Sequence, residues 1–105
     1  MKVFISQPMS NKTDAEIKEE REHIISHLKS MYGEDIEEID SFIEGAPHDA
    51  KPLWFLGESI KKLSEADVAY FAKDWNKYRG CTIENLCVKS YGILRLYDNG
   101  NEELN

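Results

Sequence analysis

Four short apolar runs of β type, separated by longer helical patterns, constrain the fold of this chain more than any other feature. The runs are residues 2–6, 35–39, 66–71 and 93–96. Helical patterns fill the three intervals, so the predicted order is βαβαβαβ. Strands that are joined through helices pair in parallel with right-handed crossovers. The sequence therefore predicts one α/β domain over residues 1–96, followed by a polar acidic tail over residues 97–105.

The predicted strand order decides where a ligand site can form. The run at 66–71 is apolar on both faces, which is typical of a central parallel strand. We expect a flavodoxin-like or Rossmann-like three-layer sandwich, with a parallel sheet of four strands, or five, in the order 2-1-3-4. In that order the chain switches direction between the first and third strands, where ligands usually bind. The loops that converge there are residues 6–11 and 72–80.

The first predicted helix runs to about Tyr32. Thr13 or Asp14 can cap its start with support from Glu16, and Gly33 is a natural stop. Its apolar stripe consists of Ile17, Ile24, Ile25, Leu28 and Met31.

Three further side chains of this helix raise the question of a ligand. Arg21 falls in the apolar sector, so it is either a snorkelling or ion-paired arginine or an anion contact that reaches into a site. His23 and His27 have the spacing of two metal ligands, but they lie off the stripe without a third ligand nearby. We interpret both histidines as solvated, and no ligand cluster predicts a metal or redox cofactor.

The second predicted helix begins at Pro52, which suits a first helical position, and ends near Ser64. Its apolar stripe consists of Leu53, Leu56, Ile60 and Leu63. Trp54 and Phe55 point away from that stripe, so either loops or another subunit cover them. They favour a homodimer or a higher homo-oligomer.

Polar residues mark the ends of two predicted strands. Asp40 and Ser41 leave the second strand at its carboxyl end, where they either contact a ligand or only cap and turn the chain. Asp67 begins the third strand at the opposite end, so we interpret it as structural.

The segment after the third strand holds the candidate catalytic residue. A polar loop contains Trp75, Arg79 and Gly80, and Glu84 is predicted in the first turn of the helix that follows. The helix dipole would keep a carboxylate ionised there, as a nucleophile requires. Such a carboxylate could attack the anomeric carbon of a sugar. An ordinary helix-start glutamate fits the same pattern.

Composition restricts the partners and the compartment. A formal charge of −7 argues against a nucleic-acid polymer, although it leaves room for a small anionic nucleotide. Cys81 and Cys87 fall on different sides of one predicted helix, which favours reduced thiols. The chain has neither a signal-peptide pattern nor a run of roughly 18 apolar residues. We therefore expect a cytoplasmic protein without a membrane partner.

Five segments together resemble the nucleoside 2-deoxyribosyltransferase superfamily, and within it small deoxyribosyltransferase-like proteins of phages and bacteria. The segments are residues 3–10 (VFISQPMS), 56–60 (LGESI), 66–71 (ADVAYF), 75–84 (WNKYRGCTIE) and 91–93 (YGI). The resemblance spans residues 1 to about 96 in order. It implies the α/β fold already expected and an enzyme that breaks or exchanges N-glycosidic bonds.

The resemblance also assigns roles by position. The glutamate four residues after the loop glycine is the covalent nucleophile of these transferases, and it corresponds to Glu84. Departures from the pattern are Tyr78 in place of an aspartate that handles the base, Ser59 in place of an acidic residue, Phe4 in place of a tyrosine, and Leu86 in place of a small residue. The C-terminal segment that a neighbouring subunit lends to the classical site has no counterpart.

A ligand can be assigned to the same loops. Related nucleoside-monophosphate N-hydrolases hold a 5′-phosphate with hydroxyl-bearing residues, and Ser6, Ser10, Ser59 and Arg79 could serve similarly. Trp75 or Met9 would stack on the base. The predicted substrate contacts are Ser6, Gln7, Pro8, Met9, Ser10, Asp40, Ser59, Trp75, Arg79 and Gly80.

Three functions remain open from the sequence. The first is an N-glycosidic enzyme that acts on a nucleoside or nucleotide through Glu84. The second is a non-catalytic nucleotide-binding or sensing module on the same fold. The third is an oligomeric structural protein with a vestigial site, which only the aromatic pair Trp54 and Phe55 supports.

Overall fold

A computed structural model describes residues 1–41, 43 and 45–98, and the backbone of residues 102–103. The helices are α1 (Asp14–Tyr32), α2 (Pro52–Leu63) and α3 (Arg79–Ser90), with a short 3₁₀ turn at Trp75–Lys77. The strands are β1 (Lys2–Ser6), β2 (Glu37–Glu38), β3 (Val68–Phe71), β4 (Leu94–Tyr97) and β5 (Glu102–Glu103). Their order in the sheet is β2-β1-β3-β4-β5.

The first four strands pair in parallel, so the predicted flavodoxin-like order 2-1-3-4 is confirmed. The fifth strand differs, because it pairs with β4 in the antiparallel direction. Part of the predicted tail therefore belongs to the sheet, as does Tyr97 at the end of β4. The rest of that tail, residues 99–101 and 104–105, lies outside the described residues.

Two predicted strands are shorter than their apolar runs. The second is reduced to Glu37–Glu38, opposite Lys2 and Val3, with buried Ile36 and Ile39 on either side. The third begins at Val68, because the carboxylate of Asp67 accepts a hydrogen bond from the backbone nitrogen of Lys2 at 2.7 Å. Asp67 is thus structural, as predicted.

Alternation along β1 assigns side chains to the two faces of the sheet. Val3 and Ile5 pack with Ile24 and Leu28 of α1. Phe4 packs on the opposite face, in a cluster with Leu63 of α2 and with Phe71 and Val88 of β3 and α3. The sheet is therefore the middle of three layers. Because side chains alternate along a strand, Ser6 lies on the same face as Phe4 and points towards α3.

Helix α1 begins and ends as predicted. The Thr13 hydroxyl accepts a hydrogen bond from the Glu16 backbone nitrogen at 3.1 Å, and the Glu16 carboxylate accepts one from the Thr13 backbone nitrogen at 2.9 Å. Gly33 closes the helix with φ 107°, a conformation that favours glycine. The predicted stripe is wrong at Met31, which lies in the last turn and is 57% exposed.

Helix α2 has the predicted bounds, but its first turn does not join the core. Leu53 is 76% exposed, more than its neighbours Trp54 and Phe55. The predicted stripe fails at this end of the helix, because the first turn forms the wall of a cavity instead of covering the sheet. None of the helices in the described part of the chain is long and apolar enough to span a membrane.

Helix α3 begins earlier than predicted. Tyr78 is its N-cap residue and Arg79 its first residue, so Gly80 lies inside the helix and not at the tight point of a loop. The first backbone bond of the helix runs from the Thr82 nitrogen to the Tyr78 carbonyl oxygen at 3.0 Å. Glu84 is consequently the sixth helical residue and lies in the second turn, which corrects its predicted place in the first.

We predict that Thr13→Ala lowers the free energy of unfolding by about 1 kcal/mol, because it leaves a backbone N–H of α1 without its cap. Denaturant unfolding of the wild type and the variant measures the difference. Thr82→Ala is the matched control, since the Thr82 hydroxyl only donates to a carbonyl within the start of α3. Equal losses in both variants would contradict a specific role for the cap.

Candidate functional site

A cavity of about 730 Å³ lies beside the carboxyl end of β1. Its walls are the loop after β1, the residue Ser41 after β2, one side chain of α1 and the first two turns of α2 and α3. This is the edge at which open α/β sheets usually bind ligands. Most predicted contacts lie on the walls: Gln7, Pro8, Met9, Ser10, Ser59, Arg79, Gly80 and Glu84.

Glu84 is the buried acid of this cavity, with 7% of its surface exposed. Burial raises the pKa of its carboxyl to about 7, opposed by a hydrogen bond from Ser6 and by the charge of Arg21. Burial thus opposes the predicted ionised state at neutral pH. The helix dipole acts within the first turn, and Glu84 lies beyond it.

Ser6 holds Glu84 in place. Its hydroxyl donates to Oε1 of Glu84 at 2.7 Å, across the interface between the end of β1 and helix α3. Ser6 is itself buried and is not part of the cavity wall. It was predicted to contact a substrate, but the structure places it behind the carboxyl group, where it orients one oxygen.

Of the two roles predicted for Arg21, the structure shows the ion-paired arginine, and the anion contact stays a prediction. It is 4% exposed, and its Nη1 lies 3.4 Å from Oε2 of Glu38. It also lines the cavity, while its Nε and Nη2 have no hydrogen-bond partner in the described part of the chain. Burial lowers the pKa of Arg21, whereas the charges of Glu38, Asp40 and Glu84 raise it. A buried polar group without a partner costs about 1–3 kcal/mol, so these two donors lower the stability of the fold.

Asp40 and Ser41 fall on opposite sides of Arg21. Ser41 is buried and lines the main cavity, and its hydroxyl has no hydrogen-bond partner within residues 1–41, 43 and 45–98. Asp40 is exposed and lines a second cavity of about 510 Å³ instead. The geometry therefore does not support the prediction that Asp40 contacts a ligand in the main cavity.

Trp75 is placed away from the cavity wall. Its ring lies 5.3 Å from that of Phe71 and 5.6 Å from that of Tyr97, measured between centroids. The 3₁₀ turn that begins at Trp75 folds it onto the end of β3 and β4. The prediction that Trp75 stacks on a base is wrong for this arrangement. Met9 remains available, since it is part of the wall and 39% exposed.

Sequence reasoning missed some of the wall. Lys51 lies at the start of α2, and Phe55 and Cys81 follow on α2 and α3. The one signal for these three residues is that α2 and α3 begin at the ligand-binding edge of the sheet. Burial raises the pKa of the Cys81 thiol to about 11, so it stays protonated and inert.

Metal ligation has no support from the side chains that the structure describes. They include no group of three or more His, Cys, Asp and Glu that could hold an ion. His23 and His27 are both exposed.

Comparisons with protein-family models, with curated proteins and with solved structures returned no match. The resemblance to the deoxyribosyltransferases therefore stays a prediction.

We predict that Glu84→Gln stabilises the fold at alkaline pH. The pKa of Glu84 rises from 4.5 to about 7 on folding, so the folded state binds the proton more tightly. Stability is then lost as pH rises from the unfolded to the folded value. Between about pH 5 and about pH 8, the wild type should lose about 2 to 3 kcal/mol relative to Glu84→Gln.

Denaturant unfolding at both pH values measures this difference. Glu65→Gln is the control, because it removes the same charge from an exposed position. If the free energy of unfolding depends on pH identically in the wild type and in Glu84→Gln, burial does not raise the pKa of Glu84.

Proposed function

We propose that this protein acts on the N-glycosidic bond of a nucleoside or nucleotide, as a 2-deoxyribosyltransferase or an N-hydrolase, with Glu84 as the nucleophile. One observation carries the proposal: a buried carboxyl group on a cavity wall, oriented through one oxygen by Ser6 at 2.7 Å. Because Ser6 engages Oε1, Oε2 is the oxygen that meets the sugar.

The reaction follows from the ionised form of Glu84. Its carboxylate attacks the anomeric carbon, the bond between that carbon and the base nitrogen breaks, and the base leaves with the bonding electrons. A glycosyl ester of Glu84 results. Water then completes a hydrolysis, or a second base completes a transfer, and either step regenerates the carboxylate.

The departing base needs a proton, which the cavity wall supplies. Tyr78 lines the cavity at the position where the related enzymes carry an aspartate. Its hydroxyl is a hydrogen-bond donor, which a carboxylate at that position is not. Tyr78 therefore protonates or hydrogen-bonds the base, directly or through one water.

A non-catalytic nucleotide-binding module is the second candidate. The raised pKa of Glu84 favours it, because a protonated carboxyl group binds a ligand but does not attack it. The cavity could thus have kept its binding role without turnover. Bond cleavage separates the two functions, since binding is common to both.

Assembly and location complete the proposal. Leu53, Trp54 and Phe55 expose apolar surface at the first turn of α2, which supports a homodimer or a higher homo-oligomer. Cys81 and Cys87 are free cysteines, as suits a reducing cytoplasm. Sedimentation or light scattering of the wild type and Trp54→Ser tests the oligomer.

We predict that the wild type releases free base from at least one deoxynucleoside or its 5′-monophosphate, and that Glu84→Gln does not. Chromatography follows the base, and mass spectrometry of the intact protein detects the sugar ester on Glu84. The loss should be at least about a thousandfold, because the variant has no nucleophile. Glu65→Gln should retain activity.

Ligand-dependent thermal stabilisation without base release, in the wild type as in Glu84→Gln, would support the binding module instead. Base release at an equal rate in both proteins would exclude Glu84 as the nucleophile.

We further predict that kcat/KM rises with pH and reaches half its plateau near the pKa of Glu84, about 7. Ser6→Ala should move this midpoint to higher pH, because the Ser6 hydroxyl stabilises the ionised carboxylate. Ser90→Ala, at the exposed end of α3, is the control. If Ser6→Ala leaves the midpoint unchanged, the group whose titration controls kcat/KM is not Glu84.

A further inference from the structure

The guanidinium of Arg21 has one edge occupied and one edge open. Nη1 pairs with Glu38 at 3.4 Å, whereas Nε and Nη2 have no hydrogen-bond partner among the described residues. Nε and Nη2 carry the two parallel N–H groups with which arginine binds an oxyanion in a bidentate manner. The salt bridge therefore leaves free the edge that is best suited to phosphate or carboxylate.

Ser41 adds a third unpartnered group beside the same cavity. Its hydroxyl is buried and makes no hydrogen bond to the residues that the structure describes, and both Ser41 and Arg21 are part of the wall. Oε1 of Gln7, on the same cavity, is a fourth buried atom without a partner among the described residues. Four such atoms at one cavity are unusual, because buried polar groups are almost always hydrogen-bonded. The Gln7 oxygen can only accept a hydrogen bond, whereas Nε and Nη2 of Arg21 and the Ser41 hydroxyl can donate to an oxyanion.

Charge distinguishes this cavity from the second one. Among the described residues, the charged side chains of the main cavity are Arg21, Lys51, Arg79 and Glu84, so three of the four are cationic. The second cavity has three cations, Lys18, Arg21 and Lys62, against four carboxylates, Glu22, Glu38, Asp40 and Glu58. In a chain of formal charge −7, the main cavity is thus lined by more cations than carboxylates.

We propose that Arg21 and Ser41 form an oxyanion subsite in this cavity and that the ligand carries a phosphate monoester. This inference rests on the proposed function in one respect, because both place the ligand in the cavity that Glu84 lines. It assigns the phosphate to Arg21 and Ser41 rather than to Ser6, which is occupied by Glu84. Lys51 and Arg79 attract the same anion on its way in.

Access to the subsite requires a small movement. Nε and Nη2 of Arg21 and the hydroxyl of Ser41 expose almost no surface. An incoming phosphate therefore displaces a neighbouring side chain before it contacts them. The unmade hydrogen bonds favour this exchange, because phosphate supplies acceptors where packing supplies none.

Calorimetric titration tests the proposal with three probes: 2-deoxyribose 5-phosphate, 2-deoxyribose and inorganic phosphate. The wild type should bind the sugar phosphate more tightly than the sugar. Arg21→Gln and Ser41→Ala should each lower the affinity for the sugar phosphate. The loss should be roughly ten- to a hundredfold for Arg21→Gln, which is the range for a lost charge-assisted hydrogen bond. Binding of the unphosphorylated sugar should not change.

Further variants separate charge from geometry. Arg21→Lys keeps the cation but loses the bidentate edge, so it should bind the sugar phosphate more weakly than the wild type. Lys62→Gln removes a cation from the second cavity alone and should bind like the wild type. Should Arg21→Gln fail to fold, Arg21→Lys and Ser41→Ala decide the question.

The outcomes also separate this inference from the role of Glu84. Equal affinity for the sugar phosphate in the wild type, Arg21→Lys and Ser41→Ala would overturn the subsite, and so would an absence of phosphate binding. Base release from unphosphorylated deoxynucleosides alone would then leave Glu84 as nucleophile. Phosphate binding that depends on Arg21, without any base release, would keep the subsite and remove the catalytic role. Tight binding of inorganic phosphate but not of the sugar phosphate would overturn the assignment to a monoester.

Discussion

The hydrogen bond between Ser6 and Glu84 is the contact on which the site depends. It joins the end of the first strand to the third helix, over 78 positions of sequence. Parallel pairing of β1 with β3 fixes the height of Ser6, and the cluster of Phe4, Phe71 and Val88 fixes the distance of α3 from the sheet. A carboxyl group held by one oxygen in this way has few orientations, so the core of the domain sets the direction of Glu84.

The site is maintained against the stability of the fold. Burial of Glu84 opposes its ionisation, and only Ser6 and the charge of Arg21 act in the other direction. Arg21 is also buried, and it leaves two donors without partners. Residues that serve the core alone would be apolar at both positions. Such local conflicts with folding are typical of functional sites, and here two of them face one cavity.

Much of the architecture follows from the sequence, because strands and amphipathic helices leave periodic apolar patterns. The four parallel strands, their order and the capping box of α1 were predicted from such patterns. The errors concern positions that tertiary packing decides. Trp75 packs on Phe71 and Tyr97 instead of the cavity, and Leu53 is exposed on its wall. Glu84 lies one turn further into α3 than predicted, because the helix begins earlier. Neither a proline nor a capping side chain marks Tyr78 as the N-cap, so the sequence did not indicate this start. The unpartnered donors of Arg21 and Ser41 leave no trace in the sequence.

Ligand binding and the ionisation of Glu84 are linked through Arg21. The guanidinium charge lowers the pKa of Glu84, and a phosphate that binds Arg21 neutralises that charge. An anion therefore draws a proton onto Glu84, which favours binding over attack. Lys51 and Arg79 also line the cavity, but only Ser6 and Arg21 lower the pKa of Glu84. Under the proposed subsite, Arg21 cannot both hold the anion and keep Glu84 ionised, so a phosphorylated ligand favours binding over nucleophilic attack.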